Sequence, residues 1–139
     1  MLLPLAALLM QNIANATAQT TLVATNVAEA KGQICLAIFN SKETFMDAAK
    51  VAHAQAVPVG KVGSLEIQLP DLPPGQYAAS VFHDLNSNGK LDTNLFGIPT
   101  EPYGFSNNVR PKFRAARWDE AVFQLKEGQN RLEIRLDTW

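Results

Sequence analysis

Gln76 to Asp92 reads QYAASVFHDLNSNGKLD, and this stretch determines how the rest of the chain can fold. In its first half Tyr77, Ala79 and Val81 fall on one face and polar or mixed residues on the other, which predicts a β-strand with one buried face. Its second half is rich in side-chain oxygens. Because a strand is rigid, the first of these oxygens, on Asp84, is expected to be held firmly where the chain leaves the sheet.

The oxygens follow most of the spacing of an EF-hand calcium loop. That loop has side-chain oxygens at positions 1, 3 and 5, a glycine at 6, a backbone carbonyl at 7 and an oxygen ligand at 9. Counted from the first aspartate, these positions hold Asp84, Asn86, Asn88, Gly89, Lys90 and Asp92. Leu95 occupies position 12, where the motif has a bidentate Glu, so Asn94, Glu101, backbone carbonyls or water must complete the shell.

We therefore predict a Ca²⁺-binding loop at the end of a strand. The alternative is a plain, well-ordered turn, because Asn, Asp and Gly also favour turns without any metal. The alternation of oxygens, with glycine at the required place, favours the metal.

Runs of strand length recur on both sides of this stretch. The predicted strands cover 22–27, 33–39, 51–59, 64–69, 76–83, 121–125 and 131–136. One short helix is predicted with Ser41 as its N-cap, and the segment from Asn94 to Ala116 is predicted to be one long irregular loop that packs through its aromatic residues. About seven short strands with almost no helix indicate an all-β fold, a single Ig-like β-sandwich over residues 19–139.

The N-terminus predicts export. Leu2 to Met10 is a short apolar run and Ala16-Thr17-Ala18 fits a signal-peptidase site, so residues 1–18 are expected to be a signal peptide and the mature chain periplasmic or secreted. The positively charged leading region is absent, which suggests a truncated start. The run is too short to span a membrane, and no other transmembrane segment is expected.

Charge and cysteine content exclude some classes of function. Twelve Lys and Arg residues against 13 Asp and Glu give a net charge of −1, which indicates no nucleic-acid partner. Cys35 is the only cysteine and cannot form an internal disulfide, and its apolar neighbours predict a buried thiol.

Three segments together resemble one known family: LPPGQYA at 72–78, HDLNSNGKLDTN at 83–94 and GIPTEPYGFSNN at 97–108. The chain resembles the exported bacterial family called domain of unknown function 2141, from Gly32 to Leu136. This resemblance implies a secreted or periplasmic β-sandwich and supplies no activity.

A more distant resemblance is to prealbumin-like repeat domains of bacterial surface adhesins, which share a Pro-Gly-x-Tyr strand start and an Asp-x-Asn-x-Asn-Gly-x-x-Asp calcium loop. It implies that Asp84, Asn86, Asn88 and Asp92 are ligands, with Lys90 acting through its carbonyl. Glu101 could supply the missing acid only if the segment 97–99 folds back.

The leading hypothesis is an exported, non-enzymatic module with a structural calcium loop. A second hypothesis is a glycan- or peptide-binding module that uses the 94–116 loop and recognises a cell-surface glycan or protein. Its ligand-binding residues would be Tyr103, Phe105, Asn107 and Asn108. A third, less favoured hypothesis is a carboxylate-based hydrolase using Asp84, Asp92 and Glu101, which would have to line an open cleft.

Overall fold

A computed structural model describes residues 16–139 of the chain, so the signal-peptide prediction for residues 1–15 lies outside the described residues. The fold is built almost entirely from strands. Their bounds are β1 Ala18–Val27, β2 Gln33–Phe39, β3 His53–Pro58, β4 Gly63–Gln68, β5 Gly75–Asp84, β6 Tyr103–Phe105, β7 Phe123–Leu125 and β8 Gly128–Arg135. A four-residue helix, α1, spans Trp118–Ala121, and short 3-10 helices occupy Ala48–Lys50 and Ser106–Asn108.

The strands form two sheets, as expected for a β-sandwich. The smaller sheet has the order β4-β1-β8, in which β1 is antiparallel to β4 and parallel to β8. The larger has the order β3-β2-β5-β6, and β7 pairs with the first three residues of β5. The predicted all-β sandwich is confirmed, with eight strands in the described residues instead of about seven.

Strand β5 carries the core and the candidate site on opposite faces. Tyr77, Ala79, Val81 and His83 are buried on the inner face, as the alternation predicted. The Nε2 atom of His83 lies 2.7 Å from the carbonyl oxygen of Lys31, so this histidine is a core residue tied to the chain preceding β2. Each fully buried aliphatic side chain of such a core contributes about 1.5–3 kcal/mol to folding.

The one helix prediction was wrong in detail, and a second short helix was missed. The segment after Ser41 forms turns and a single 3-10 helix at Ala48–Lys50, whose N-cap is Asp47; its carboxylate accepts the amide hydrogen of Ala49 at 3.0 Å. The hydroxyl of Ser41 instead bonds that of Thr44 at 2.8 Å. The short helix α1 was not predicted, because four residues are too few for helical periodicity to appear.

The first strand begins inside the predicted signal-peptidase site. Ala18 is completely buried and exchanges two backbone hydrogen bonds with Leu72, at 2.7 and 3.1 Å. Cleavage after Ala18 would therefore remove the first residue of β1 from the sheet. Within residues 16–139, no helix has the length and apolar character needed to cross a membrane.

Cys35 was predicted to be buried in an apolar run, and this was only half right. Alternation along β2 places Ile34 and Leu36 in the core, whereas Cys35 is half-buried on the outer face of the larger sheet. Its Sγ atom lies 3.9 Å from Oδ2 of Asp84, so the thiol borders the loop that follows β5.

Candidate metal centre

Asp84 ends strand β5 and anchors the loop that follows. Its side chain has no solvent exposure. Oδ2 accepts hydrogen bonds from Nε2 of Gln33 at 2.8 Å and from the amide of Gly89 at 2.8 Å, while Oδ1 accepts the amide of Asn88 at 3.1 Å. Gln33 lies directly opposite on β2 in the strand register. The carboxylate therefore faces the backbone amides of the loop.

These contacts control ionisation at the site. Burial opposes the charged form of Asp84, but the donors from Gln33, Gly89 and Asn88 outweigh it and hold the pKa of this carboxyl below its ordinary value. Burial, followed by the negative charges of Asp84 and Glu101, raises the pKa of the neighbouring Cys35 thiol to about 11. At neutral pH the site therefore pairs an ionised carboxylate with a protonated thiol.

Two further predicted ligands, Asn86 and Asn88, come together around a third, Asp92. Its Oδ2 accepts Nδ2 of Asn86 at 2.8 Å, and its Oδ1 accepts Nδ2 of Asn88 at 2.7 Å. The amide oxygens of the two asparagines accept backbone N–H groups two residues further on, those of Asn88 and Lys90, at 3.3 and 3.1 Å. If a cation bound beside Asp92, the two asparagines would have to offer it their amide oxygens. A half-turn about χ2 places each oxygen where the amide nitrogen now lies.

The backbone of the loop also fits the calcium pattern. Gly89 has a φ of +81° at position 6, where the EF-hand loop makes its sharp turn. Lys90, at position 7, is exposed, and its amide is already bonded to Asn88. This leaves its carbonyl as the group that could serve as a ligand.

Glu101, and not Leu95, brings a carboxylate against the loop. The chain folds back at 94–99, because Asn94 donates its amide hydrogen to the carbonyl of Ile98 at 2.9 Å and Thr93 bridges Pro99. The Glu101 carboxylate, only 4% exposed, then accepts the amide of Leu85 at 2.7 Å and that of Asp92 at 2.8 Å. Leu95 itself is fully exposed. The fold-back that the sequence demanded of Glu101 is therefore present.

Asn94, the other residue considered for the missing ligand, has a different role. Its Oδ1 accepts the amides of Phe96 and Ile98, at 2.8 and 3.1 Å, and so shapes the tip of the fold-back. We therefore leave it out of the candidate ligand set.

The side chains of the site carry an excess of negative charge. Asp84 and Glu101 are the two buried acidic side chains within residues 16–139, and Asp92 adds a third carboxylate at the same loop. None of the ion pairs formed among those residues involves any of the three. Hydrogen bonds from amides compensate the charge in part, but no cationic side chain within residues 16–139 forms an ion pair with these carboxylates.

The ligand types point to a hard cation. In the part of the chain that the structure describes, no three His, Cys, Asp or Glu side chains cluster as a metal site of their own. A complete shell here must include amide and backbone oxygens, which calcium accepts and zinc sites rarely use. The residues that fit are Asp84, Asn86, Asn88, Lys90, Asp92 and Glu101.

The residues predicted for a glycan or peptide platform do not line one common cavity. Phe105 is buried and Tyr103 is half-buried, with ring centroids 6.0 Å apart. The Nδ2 of Asn107 donates to the carbonyls of Glu120 and Val122, at 3.0 and 2.8 Å, and Oδ1 of Asn108 accepts the amide of Arg135 at 2.8 Å. Both asparagines thus fasten their segment to neighbouring elements, and they are not lining residues of the cavities that Tyr103 borders.

The structure exposes aromatic residues that the sequence analysis expected to pack. Phe96 and Phe113 are 87% and 82% exposed, and the ring of Phe113 lies 5.3 Å from that of Trp139. Bulky apolar residues within otherwise polar, irregular segments were the available signal. They were interpreted as packing residues, and the structure leaves them at the surface.

A family model described as an uncharacterized protein conserved in bacteria, DUF2141, matches residues 23–133. Searches of curated proteins and of solved structures gave no match. The family match covers more than half of the chain and includes both sheets, the loop from Asp84 to Asp92 and Glu101. The chain therefore belongs to the bacterial DUF2141 family, as its three characteristic segments suggested.

Proposed function

We propose that the protein is an exported, non-enzymatic β-sandwich module whose loop from Asp84 to Asp92, completed by Glu101, binds Ca²⁺ for structural purposes. The observation that carries this proposal is the buried pair of carboxylates, Asp84 and Glu101, with no cationic partner among residues 16–139. Buried charges are normally paired or coordinate a metal. Export is supported by the sequence pattern of residues 1–18.

Calcium would act by stabilising the folded chain. The ion joins the end of β5, the loop tip at Asn86 to Asp92, and the returning segment at Glu101, and these groups are close together only when the sandwich is folded. Extracellular calcium modules bind with Kd on the order of 10⁻⁴ to 10⁻³ M. Ten millimolar calcium would then stabilise the fold by about 1.4–2.7 kcal/mol.

The hydrolase hypothesis receives no support from the same geometry. A carboxylate hydrolase places two acids on either side of a substrate in an open cleft. Here Asp84 and Glu101 are buried, and all four of their oxygens accept N–H groups of the protein. Such carboxylates hold a loop in shape and are poorly placed to reach a sugar.

The test is the melting temperature in calcium and in chelator. For a domain of this size the expected stabilisation raises Tm by roughly 5–10 °C in 10 mM calcium relative to EGTA. Asp92→Asn removes a ligand charge at a partly exposed position and is expected to abolish most of that rise. Asp71→Asn is the matched control, since Asp71 is exposed at the opposite end of β5.

Three outcomes would contradict the proposal. The wild-type Tm could be the same in calcium and in EGTA, Asp92→Asn could keep the full rise, or magnesium at equal concentration could reproduce it. Magnesium demands a smaller, near-octahedral site and gives up its water reluctantly. The export part is tested separately, by N-terminal sequencing of protein recovered from the periplasm or medium.

A further inference from the structure

An apolar groove crosses the outer face of the larger sheet, beside the calcium loop. One cavity of about 280 Å³ has Ala37, Ala54 and Phe82 among its lining residues. It adjoins a second cavity of about 300 Å³, and the two share Met46, Leu91, Tyr103 and Phe105. The groove therefore runs from the edge strand β3, across β2 and β5, to the region of Phe96 and Trp139.

Exposed apolar side chains are concentrated around this groove. The large hydrophobic residues exposed within residues 16–139 are Met46, Val62, Leu95, Phe96, Phe113 and Trp139. Four of these six line the second cavity, with Val62 and Leu95 as the exceptions. Contiguous exposed apolar surface on a folded domain marks a binding site more often than isolated exposed residues do.

One end of the groove is positively charged. A third cavity of about 460 Å³ shares Tyr103, Phe113 and Trp139 with the second one, and it is also lined by Arg110 and Lys112. Neither cation forms an ion pair with an acid of the described chain.

Arg110 is held in place by uncharged groups. Its guanidinium donates to the carbonyls of Tyr103 and Asp137, at 2.7 and 3.0 Å, and stacks 4.5 Å from the centre of the Tyr103 ring. The positive charge at this end is therefore fixed and not neutralised. By contrast, Arg114 beside the second cavity is paired with Glu120 at 2.7 Å.

We propose that this groove binds a single-chain anionic amphiphile, with its alkyl tail across the sheet and its carboxylate beside Arg110 and Lys112. The order of surfaces, apolar along the sheet and cationic at one end, matches the order of groups in such a ligand. A peptide fits less well, because the floor lies mainly over β2 and β5, each of which is already hydrogen-bonded to a strand on both sides. Buried peptide N–H and C=O groups would find no backbone partner there.

One wall of the groove connects it with the calcium loop. Leu91, Phe96, Ile98 and Pro99 line the second cavity, and they belong to the segment that Glu101 fastens through the amide of Asp92. A cation that rigidifies this segment would also fix the wall. This coupling, which rests on the proposed function, predicts that calcium strengthens amphiphile binding and that the amphiphile strengthens calcium binding by the same factor.

The first test is calorimetric titration of the whole protein, in EGTA, with decanoate and with decanol as the uncharged control. We expect saturable binding of one decanoate, and weaker binding of decanol. Lys112→Glu should weaken decanoate binding about three- to tenfold and leave decanol unchanged. Lys61→Glu, a charge reversal at an exposed position outside the groove, should change neither.

The part of the groove that would hold the alkyl tail is tested by two variants at exposed apolar positions. Phe96→Ala should weaken both ligands about tenfold, while Val62→Ala should have no effect, and both residues are exposed enough for the fold to tolerate the change. The proposal is overturned if decanoate does not bind, if decanol binds as tightly, or if Phe96→Ala has no effect. It is also overturned if a leucine-rich acidic peptide binds more tightly, or if only anionic vesicles are bound.

The coupling is tested by repeating the decanoate titration in calcium, with the wild type and with Asp92→Asn. Calcium should tighten binding in the wild type only. If the proposed calcium function is wrong, the Tm will be the same with and without calcium. If the proposed groove ligand is wrong, decanoate will not bind in EGTA. The two failures are therefore distinguishable.

Discussion

Replacement of Asp84 by alanine is the most informative single change in this protein. The substitution removes a fully buried carboxylate that accepts three N–H hydrogen bonds, from Gln33, Gly89 and Asn88. Hydrogen bonds to a charged group contribute about 1.5–3 kcal/mol each. Because Asn88 and Gly89 are exposed, water can reach their amides in the variant and recover part of the loss. We therefore expect Asp84→Ala to lower the free energy of unfolding by about 3–5 kcal/mol.

Asp84→Asn should cost less, about 2–3 kcal/mol, because one carbonyl oxygen remains and the new NH₂ group faces N–H donors. The assay is urea denaturation followed by circular dichroism, carried out in EGTA so that no metal contributes. Asp71→Ala, at an exposed acid, provides the control and should stay within about 0.5 kcal/mol of the wild type. In calcium, the Asp84 variants should also lack the rise in Tm that is expected for the wild type.

The result that would refute this reasoning is a loss below about 1 kcal/mol for Asp84→Ala in chelator. Such a value would mean that the hydrogen bonds to the carboxylate only replace bonds to water, so that the loop is shaped by its backbone alone.

Three further predictions follow from the same region and its neighbours. Because the folded pKa of Asp84 lies below its unfolded value of about 3.9, its contribution is complete above pH 4 and declines as pH falls through the folded pKa; the stability difference between wild type and Asp84→Asn should shrink in acid urea titrations. With a pKa of about 11, Cys35 has about a hundredfold less thiolate at pH 8 than an unfolded cysteine, and because a more basic thiolate is also more nucleophilic, it should react with a disulfide reagent about tenfold more slowly in the folded protein than in urea. Gly104→Ala should destabilise by about 1–3 kcal/mol in urea, since the new Cβ would lie 2.3 Å from the carbonyl oxygen of Arg135, whereas Gly60→Ala, which meets nothing within 4 Å, should be neutral.

Short-range patterns in the sequence predicted much of the fold. Alternation identified β4 and β5 and placed Ile67 and Val81 in the core, and the run from Gln33 to Phe39 matches β2 to the residue. The oxygen loop was also recognisable, because the spacing of its side-chain oxygens is a property of consecutive residues. Glu101 could be named as a candidate, since the sequence showed which segment had to fold back.

What the sequence did not show depends on contacts between distant segments. The three residues of β6 are too few to display a period of two, and they are a strand only because Val81 and its neighbours on β5 pair with them. Likewise, Asn107 and Asn108 resemble exposed recognition residues in sequence. Their partners are backbone carbonyls and an amide 13 to 27 positions away, which no local pattern reveals.

The parallel pairing of β1 with β8 has a consequence for how the molecule assembles. Eight consecutive residue pairs, from Ala18 with Gly128 to Thr25 with Arg135, join segments about as far apart as the chain allows. Closing so long a loop is slow, and β1 keeps an open edge until the final segment arrives. A chain that ends before Gly128 would keep this edge of β1 unpaired and should self-associate through it. Residues 128–139 therefore protect the protein from aggregation by covering the edge of β1.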